Sequence, residues 1–200
     1  MPYYYYGIDP LYLYLVLPAI LLSLFAQIKV KSTFSRFSKR PCNYSGAEAA
    51  QRVLQANGIH DVRIERVSGN LTDHYDPKTN VIRLSDSVYN ARSVAAVGVA
   101  CHEAGHAVQY ATHYFPIHLR AAIIPITNFG SRLAMPLILL GLFLSAFGNF
   151  STTVIYLGIA CFGLSLLFQL ITLPVEFNAS RRAVVILGSE GILDAYELDG

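Results

Sequence analysis

Apolar residues are concentrated in three long stretches of the chain, at about 8–28, 133–150 and 152–175. About 20 consecutive apolar residues cross the hydrocarbon core of a bilayer, which is about 30 Å thick. The pattern therefore predicts three transmembrane helices, the second and third of which form a hairpin. The first stretch has no basic residues before it and no clear small-residue cleavage site after it. We expect a retained anchor rather than a cleaved signal peptide.

Residues 29–132, between the first and second stretch, change between polar and apolar positions on a shorter scale. Ser45 followed by Glu48 is a capping box, which predicts a helix that ends at Asn57-Gly58. Two short strands are predicted at 62–67 and 80–84, separated by a loop at 68–79 that is rich in Gly, Asn, Asp and Pro. The strand at 80–84 is interpreted either as an edge strand that pairs with an extended substrate or as part of a structural hairpin.

Two further helices are predicted before the second apolar stretch. Small apolar residues at helical spacing predict a helix from about 93 to 110. A less regular helix at 117–130, with Pro125 inside it, leads into the second span.

Composition supports an integral membrane protein. The chain is 54% hydrophobic and 14% charged, whereas ordinary globular domains carry about 25% charged residues. The net charge of +2 and the lack of a basic stripe argue against a nucleic-acid partner. The three cysteines show no pairing pattern, so a disulfide framework is not expected.

The basic residues predict the orientation in the cell membrane. They follow the first span, precede the second and follow the third, whereas the turn at 148–151 between the second and third spans carries no charge. Under the positive-inside rule, residues 29–132 and the tail from 176 face the cytoplasm. The basic residues concerned are Lys29, Lys31, Arg36, Lys39, Arg40, Arg120, Arg132, Arg181 and Arg182.

The helix predicted at 93–110 contains His102-Glu103-Ala104-Gly105-His106. Residues four apart lie on one face of a helix, so both imidazoles can reach one Zn²⁺ at about 2.0–2.1 Å. Glu103 projects about 100° around the helix from His102, where it can act as general base on a metal-bound water. A hydrogen-bonded pair of core histidines is the alternative. The small apolar flanks make unpartnered His and Glu side chains costly here, which favours a metal site.

A third metal ligand is needed. The class H-E-x-x-H-x-x-G-x-x-H is disfavoured, because Gln109 and Thr112 occupy the positions of its glycine and last histidine. Glu176, at the end of the third span, is the candidate, because a carboxylate near hydrocarbon is costly without a partner. The alternative for Glu176 is an ordinary helix-end glutamate that faces lipid headgroups or pairs with Arg181.

With Glu176 included, the pattern resembles membrane-embedded gluzincins of the HtpX and CAAX-protease type, and more closely the YugP-like neutral zinc metallopeptidases of bacteria. The similarity covers the N-terminal anchor, residues 70–77, the helix at 93–110 and residues 174–177. It implies that His102, His106 and Glu176 bind Zn²⁺ and that Glu103 is the base. HtpX-type enzymes usually carry Ala-Asp three and four residues after the glutamate, where the aspartate supports a histidine ligand. This chain has Ala179-Ser180, which leaves that support open.

We therefore expect a mainly α-helical integral membrane protein with three transmembrane helices and a cytoplasmic zincin-like α+β region that contains a small β-hairpin. The expected division is an anchor at 1–28, a catalytic region at 29–132, a transmembrane hairpin at 133–175 and a cytoplasmic tail helix at 176–200. The tail helix carries the third metal ligand, Glu176.

The expected activity is hydrolysis of peptide bonds by a metal-activated water, at the cytoplasmic membrane surface, with peptides or membrane proteins as substrates. His74 and Tyr75 are candidates for contact with substrate or the oxyanion, although an ordinary loop histidine explains His74 equally well. One alternative is a non-catalytic metal-binding membrane scaffold or sensor. A di-iron carboxylate protein is less favoured, because such sites use two E-x-x-H motifs and this chain has one.

Overall fold

Helices make up most of the computed structural model, which describes residues 10–145 and 150–198. The beginning of the predicted anchor and half of the predicted turn at 148–151 lie outside these ranges. In chain order, the elements are α1 Pro10–Phe37, α2 Gly46–Ala56, β1 Arg63–Val67, β2 His74–Asp76, β3 Val81–Ser85, α3 Val94–Ala111, α4 Phe115–Leu144, α5 Phe150–Ser189 and α6 Ala195–Leu198.

Three of these helices are long and apolar enough to cross a membrane. They are α1, α4 and the part of α5 from Ser151 to Ser189. The most apolar window of α1 contains no buried residue, and most of its leucines are exposed. Exposed apolar surface of this extent is typical of proteins that associate with a membrane. Three apolar helices of spanning length are thus confirmed, and their placement in a bilayer stays a prediction.

The long helices extend into the residues that flank the apolar stretches. Helix α1 continues to Phe37 through the basic residues after the first span, α4 joins the predicted helix at 117–130 to the second span, and α5 runs unbroken past residue 176. Lys, Arg and Glu are good helix formers. A change from apolar to charged residues therefore marks a change of surroundings rather than a helix end. The expected divisions at 132/133 and 175/176 fall inside continuous helices.

The sheet has three strands in the order β1-β3-β2. β1 and β3 correspond to the two predicted strands, but they pair in parallel, and the hairpin is formed by β2 and β3. β2 lies inside the segment that we predicted as a loop. The interpretation of 80–84 as an edge strand is wrong, because β3 is the central strand and β2 is an edge. A turn that ends at Asn80, with φ of 55°, connects the two, and asparagine tolerates this left-handed conformation well.

The core lies between α2, the sheet, α3 and the last turns of α5. The predicted capping box of α2 is present: Ser45 Oγ accepts from the Glu48 N–H, and the Ser45 N–H donates to the Glu48 carboxylate. Within this core, helix α3 packs against α2 and the sheet on one side and against α5 on the other. Core side chains from these elements include Val53, Leu54, Ile82, Leu84, Val97, Val108, Ala183 and Leu187.

Helices α3 and α5 cross at very short range at Gly105. A Cβ atom at this position would lie 2.6 Å from the carbonyl oxygen of Ala179. This is shorter than any van der Waals contact, so the backbones can approach this closely only because residue 105 is glycine. The close crossing brings the face of α3 that carries His102 and His106 against the turn of α5 that carries Glu176.

Candidate metal centre

Two histidines of α3 and a glutamate of α5 converge on one point. The Nε2 atom of His102 lies 3.1 Å from Oε2 of Glu176, and the Nε2 atom of His106 lies 3.4 Å from the same oxygen. The two histidines share a helix face because they are four residues apart. Glu176, 74 residues after His102 in sequence, reaches them because α5 crosses α3 at Gly105.

These three side chains fit a zinc ion. One nitrogen from each imidazole and one carboxylate oxygen lie within 4.8 Å of one another. Ligand atoms about 2.0–2.1 Å from a tetrahedral zinc lie roughly 3.3 Å apart, and the measured separations of 3.1 and 3.4 Å are close to this value. Two histidines and a glutamate are also a donor set that zinc takes with one coordination position open.

Gln109 fixes the orientation of His106. The Nδ1–H of His106 donates to Oε1 of Gln109 at 3.0 Å. The Gln109 amide nitrogen donates to the carbonyl oxygen of Val175 at 2.8 Å and to Oδ1 of Asn178 at 3.0 Å. Since the amide N–H groups face α5, only the amide oxygen faces the imidazole. The hydrogen of His106 is therefore on Nδ1, which leaves the Nε2 lone pair free to bind a metal.

Ser180 is the partner of His102. Its Oγ lies 3.0 Å from Nδ1 of His102. The sequence left the support of this histidine open, because a serine stands where HtpX-type enzymes usually have an aspartate. The structure places that serine in contact with the imidazole, so a neutral hydroxyl rather than a carboxylate orients this ring.

Arg120 contacts the other oxygen of Glu176. Its Nη1 lies 3.4 Å from Glu176 Oε1, while Oε2 faces the two histidines. Arg120 belongs to α4, so the site draws on three helices. The Nε atom of Arg120 is buried and has no hydrogen-bond partner within the described residues.

Glu103 lines the same cavity as the three candidate ligands and contacts the sheet. Its Oε2 accepts a hydrogen bond of 3.0 Å from the backbone N–H of Tyr75 in the edge strand β2. Burial raises the pKa of Glu103, and the charges of His102 and His106 together with the Tyr75 N–H only partly offset this effect. A carboxyl group with a raised pKa is suited to take up and return a proton near neutral pH.

The pKa of His106 is also raised. Burial lowers it, but the hydrogen bonds to Glu176 and Gln109 and the charges of Glu103 and Glu176 outweigh burial. Without a metal, this imidazole therefore holds a proton more firmly than an ordinary histidine. A metal has to displace that proton, which makes metal binding weaker in acid.

A cavity of about 300 Å³ opens beside the cluster. It is lined by Glu103, the three candidate ligands, the β2 segment and one face of α4. His74 and Tyr75 are both in its wall. His74 Nδ1 lies 2.8 Å from the carbonyl oxygen of Thr72, and the Tyr75 hydroxyl donates to Asn80 Oδ1 at 2.7 Å. Burial raises the pKa of Tyr75 to about 12, so its phenol stays protonated. Their contact with substrate stays a prediction.

Sequence reasoning missed three side chains of this site. Gln109 was considered only as a departure from another zinc class, although a polar residue three positions after His106 on an apolar helix is a usable signal. Ser180 was noticed as a departure without an assigned contact. Arg120 was considered only as a charge that orients the chain, and nothing in its sequence context predicts the contact with Glu176.

Replacing Gln109 by methionine is expected to raise the zinc dissociation constant by about 10–100-fold, the usual effect of removing a group that orients a ligand. Methionine has a similar length but cannot accept the hydrogen bond from His106. Zinc affinity in detergent, measured by competition with a chelator, tests this. Gln55→Met, at an exposed position of α2, is the matched control. Equal zinc affinity in Gln109→Met and wild type would contradict the orienting role.

Comparison with known proteins supports the resemblance found in the sequence. The model of a family described as "Putative neutral zinc metallopeptidase" matches residues 12–200, which include every residue of the site. The chain is also 47% identical over 192 residues to "Putative membrane protease YugP" of Bacillus subtilis (strain 168), an alignment that covers 95% of this chain and 83% of the relative. No solved structure gives a match.

Proposed function

Since this chain belongs to the family described as "Putative neutral zinc metallopeptidase", we propose that it is a membrane-bound zinc endopeptidase. In this proposal His102, His106 and Glu176 hold zinc and Glu103 is the general base. One observation carries the proposal: three ligand atoms converge at the wall of a cavity that Glu103 also lines, and Glu103 is held there by the Tyr75 N–H.

Each side chain has a separate task in this reaction. His102, His106 and Glu176 would hold a zinc ion, which would polarise the scissile carbonyl and make water more acidic. Glu103 takes up the proton of the attacking water and later passes it to the leaving amine. Gln109 and Ser180 keep the imidazoles of His106 and His102 in place. His74 and Tyr75 are candidates to contact the substrate or the oxyanion.

The edge strand β2 offers a place for an extended substrate. It lines the cavity, and its outer edge is not paired with another strand within the described residues. An extended peptide can add to such an edge through backbone hydrogen bonds. Because the Tyr75 N–H already donates to Glu103, the peptide would pair with the remaining backbone groups of this edge. We therefore propose that β2, rather than the strand at 80–84, pairs with an extended substrate.

We place the site at the cytoplasmic surface of the cell membrane, with residues 29–132 in the cytoplasm and the hairpin of 133–175 in the bilayer. The basic residues that flank the apolar stretches support this orientation. Glu176 lies directly after the third predicted span, so the site is close to the lipid. Peptides and membrane proteins that reach this surface are the proposed substrates.

The metal content of the protein, purified in detergent, tests the proposal first. We expect about one zinc per chain in the wild type, the number that a single three-ligand site predicts, and loss of this zinc in His106→Ala. His60→Ala, at an exposed loop position, is the matched control. Absence of zinc from wild-type protein supplied with zinc would contradict the proposal. Bound zinc without any peptide hydrolysis would favour the metal-binding scaffold instead.

A further inference from the structure

Arg120 is the one lysine or arginine among the described residues that line the cavity. It lies on α4 beside Glu176, and it lines the same cavity as β2. Its side chain is 29% exposed and forms part of the cavity wall.

The hydrogen-bonding capacity of Arg120 is largely unused. A guanidinium group carries five N–H donors. Within the described residues, its one ion pair is the contact of 3.4 Å with Glu176, which is longer than the ~2.7–2.9 Å of a good charge-assisted hydrogen bond. The buried Nε has no acceptor. Donors left unpaired in a partly buried site are costly, and an acceptor that enters the cavity relieves that cost.

A bound metal would leave Arg120 with a greater need for another hydrogen-bond acceptor. A divalent cation held by Glu176 would share the negative charge of this carboxylate, which would then attract Arg120 less. A second anion is then the natural partner of the guanidinium. A carboxylate matches best, because its two oxygens can accept two parallel hydrogen bonds from the planar group.

The rest of this wall is apolar. Ile117, Ala121 and Ile124 lie on one face of α4 and line the cavity together with Arg120. Ligand sites are usually apolar, with a few polar groups that fix the orientation of the ligand. At about 300 Å³ the cavity is at the small end of such sites, so a group held by Arg120 is close to the metal cluster.

We propose that Arg120 binds a carboxylate group of the substrate, and that the preferred substrates are apolar peptides with a carboxylate near the scissile bond. The carboxylate comes either from a free C-terminus or from an acidic side chain. This inference rests on the proposed peptidase function, and it gives that function a substrate class.

Equilibrium binding of matched peptides tests the inference without the need for turnover. The protein is zinc-loaded Glu103→Gln in detergent, so that no probe is consumed. The first probe pair is an N-acetylated Ala/Leu peptide with a free C-terminal carboxylate and the same peptide as its C-terminal amide. The second pair is amidated and carries Asp or Asn at the penultimate position. The two pairs distinguish a terminal carboxylate from a side-chain carboxylate.

We expect the carboxylate member of at least one pair to bind roughly tenfold tighter, as charge-assisted hydrogen bonds to a guanidinium predict. In Arg120→Gln this ratio should fall to about one, with little change in amide binding. A residue that only holds Glu176 in place would not change the ratio. Arg132→Gln is the matched control, because Arg132 is an exposed arginine of the same helix outside the cavity.

Zinc content is measured for every variant, because Arg120 contacts a candidate ligand. If Arg120→Gln loses zinc, Arg120→Lys replaces it, and we expect the ratio to fall severalfold because lysine lacks the planar fork. An undiminished ratio in the variant used, or a ratio of one in the starting protein, overturns the inference.

Hydrolysis of the same peptides by otherwise wild-type protein is followed in parallel. An Arg120-dependent preference without any hydrolysis supports the carboxylate site and contradicts the peptidase. Hydrolysis without such a preference supports the peptidase and contradicts the carboxylate site.

Discussion

Replacement of Glu103 by glutamine is expected to leave zinc bound and to lower kcat for peptide hydrolysis by about 10²–10⁴-fold or more, the range that a positioned general base supplies. Glutamine keeps an oxygen that can accept the hydrogen bond from the Tyr75 N–H, so the local structure should be preserved. It cannot take up a proton from water. Zinc content and peptide hydrolysis, measured on the same preparation, test both parts of this expectation.

Glu190→Gln is the matched control for Glu103→Gln, because Glu190 is exposed and follows the end of α5, away from the cavity. We expect it to retain full activity. Undiminished hydrolysis by Glu103→Gln would remove Glu103 from the mechanism. Loss of zinc from that variant would instead assign Glu103 to the ligand set.

The opposite pattern is expected for Glu176→Gln. An amide is a much weaker zinc ligand than a carboxylate, and the substitution removes the negative charge that faces both Nε2 atoms at 3.1 and 3.4 Å. We expect zinc affinity to fall by more than the ~10–100-fold typical of an orienting group, and hydrolysis at limiting zinc to fall with it. Competition with a chelator measures the affinity.

Added zinc distinguishes the role expected of Glu176 from the role expected of Glu103. Hydrolysis by Glu176→Gln should recover in part as zinc is raised, whereas hydrolysis by Glu103→Gln should not. Equal zinc affinity in wild type and Glu176→Gln would exclude Glu176 as a ligand. Its contacts with the histidines would then be ordinary hydrogen bonds, and the alternative of a helix-end glutamate would be restored.

Elements with strong local signals were predictable from the sequence. The Ser45 and Glu48 capping box marks the start of α2, and helical spacing of small residues places α3 to within a residue at each end. β2 was missed because three residues are too few to show an alternating pattern. The parallel pairing of β1 and β3 was also missed, since pairing depends on the path of the chain between the strands rather than on either strand alone.

The ends of α1, α4 and α5 were unpredictable for a different reason. Hydropathy reports the surroundings of a residue, whereas helix continuity depends on backbone hydrogen bonds, which charged residues do not interrupt. Proline was no guide either, because Pro125 and Pro174 both lie within helices.

The candidate site also contains residues that the sequence predicts and contacts that it does not. His102 and His106 are predictable because one helix sets their spacing, and Glu176 because few carboxylates follow them in the sequence. The contact of Gln109 with His106 is set by their spacing on α3, whereas the contacts of Ser180 with His102 and of Gln109 with α5 depend on how the two helices cross at Gly105. No local pattern in either helix contains the geometry of this crossing.

One continuous helix, α5, contains both the third apolar stretch and the candidate ligand Glu176. It is unbroken from Phe150 to Ser189 and carries Glu176 partway along its length. Pro174, two residues earlier, is where such a helix bends most easily. With the hairpin in the bilayer as proposed, the tilt of α5 follows membrane thickness, and tilt or bending at Pro174 shifts the Glu176 carboxylate relative to the histidines of α3. In that proposed placement, the thickness of the surrounding membrane would affect the geometry of the candidate metal centre.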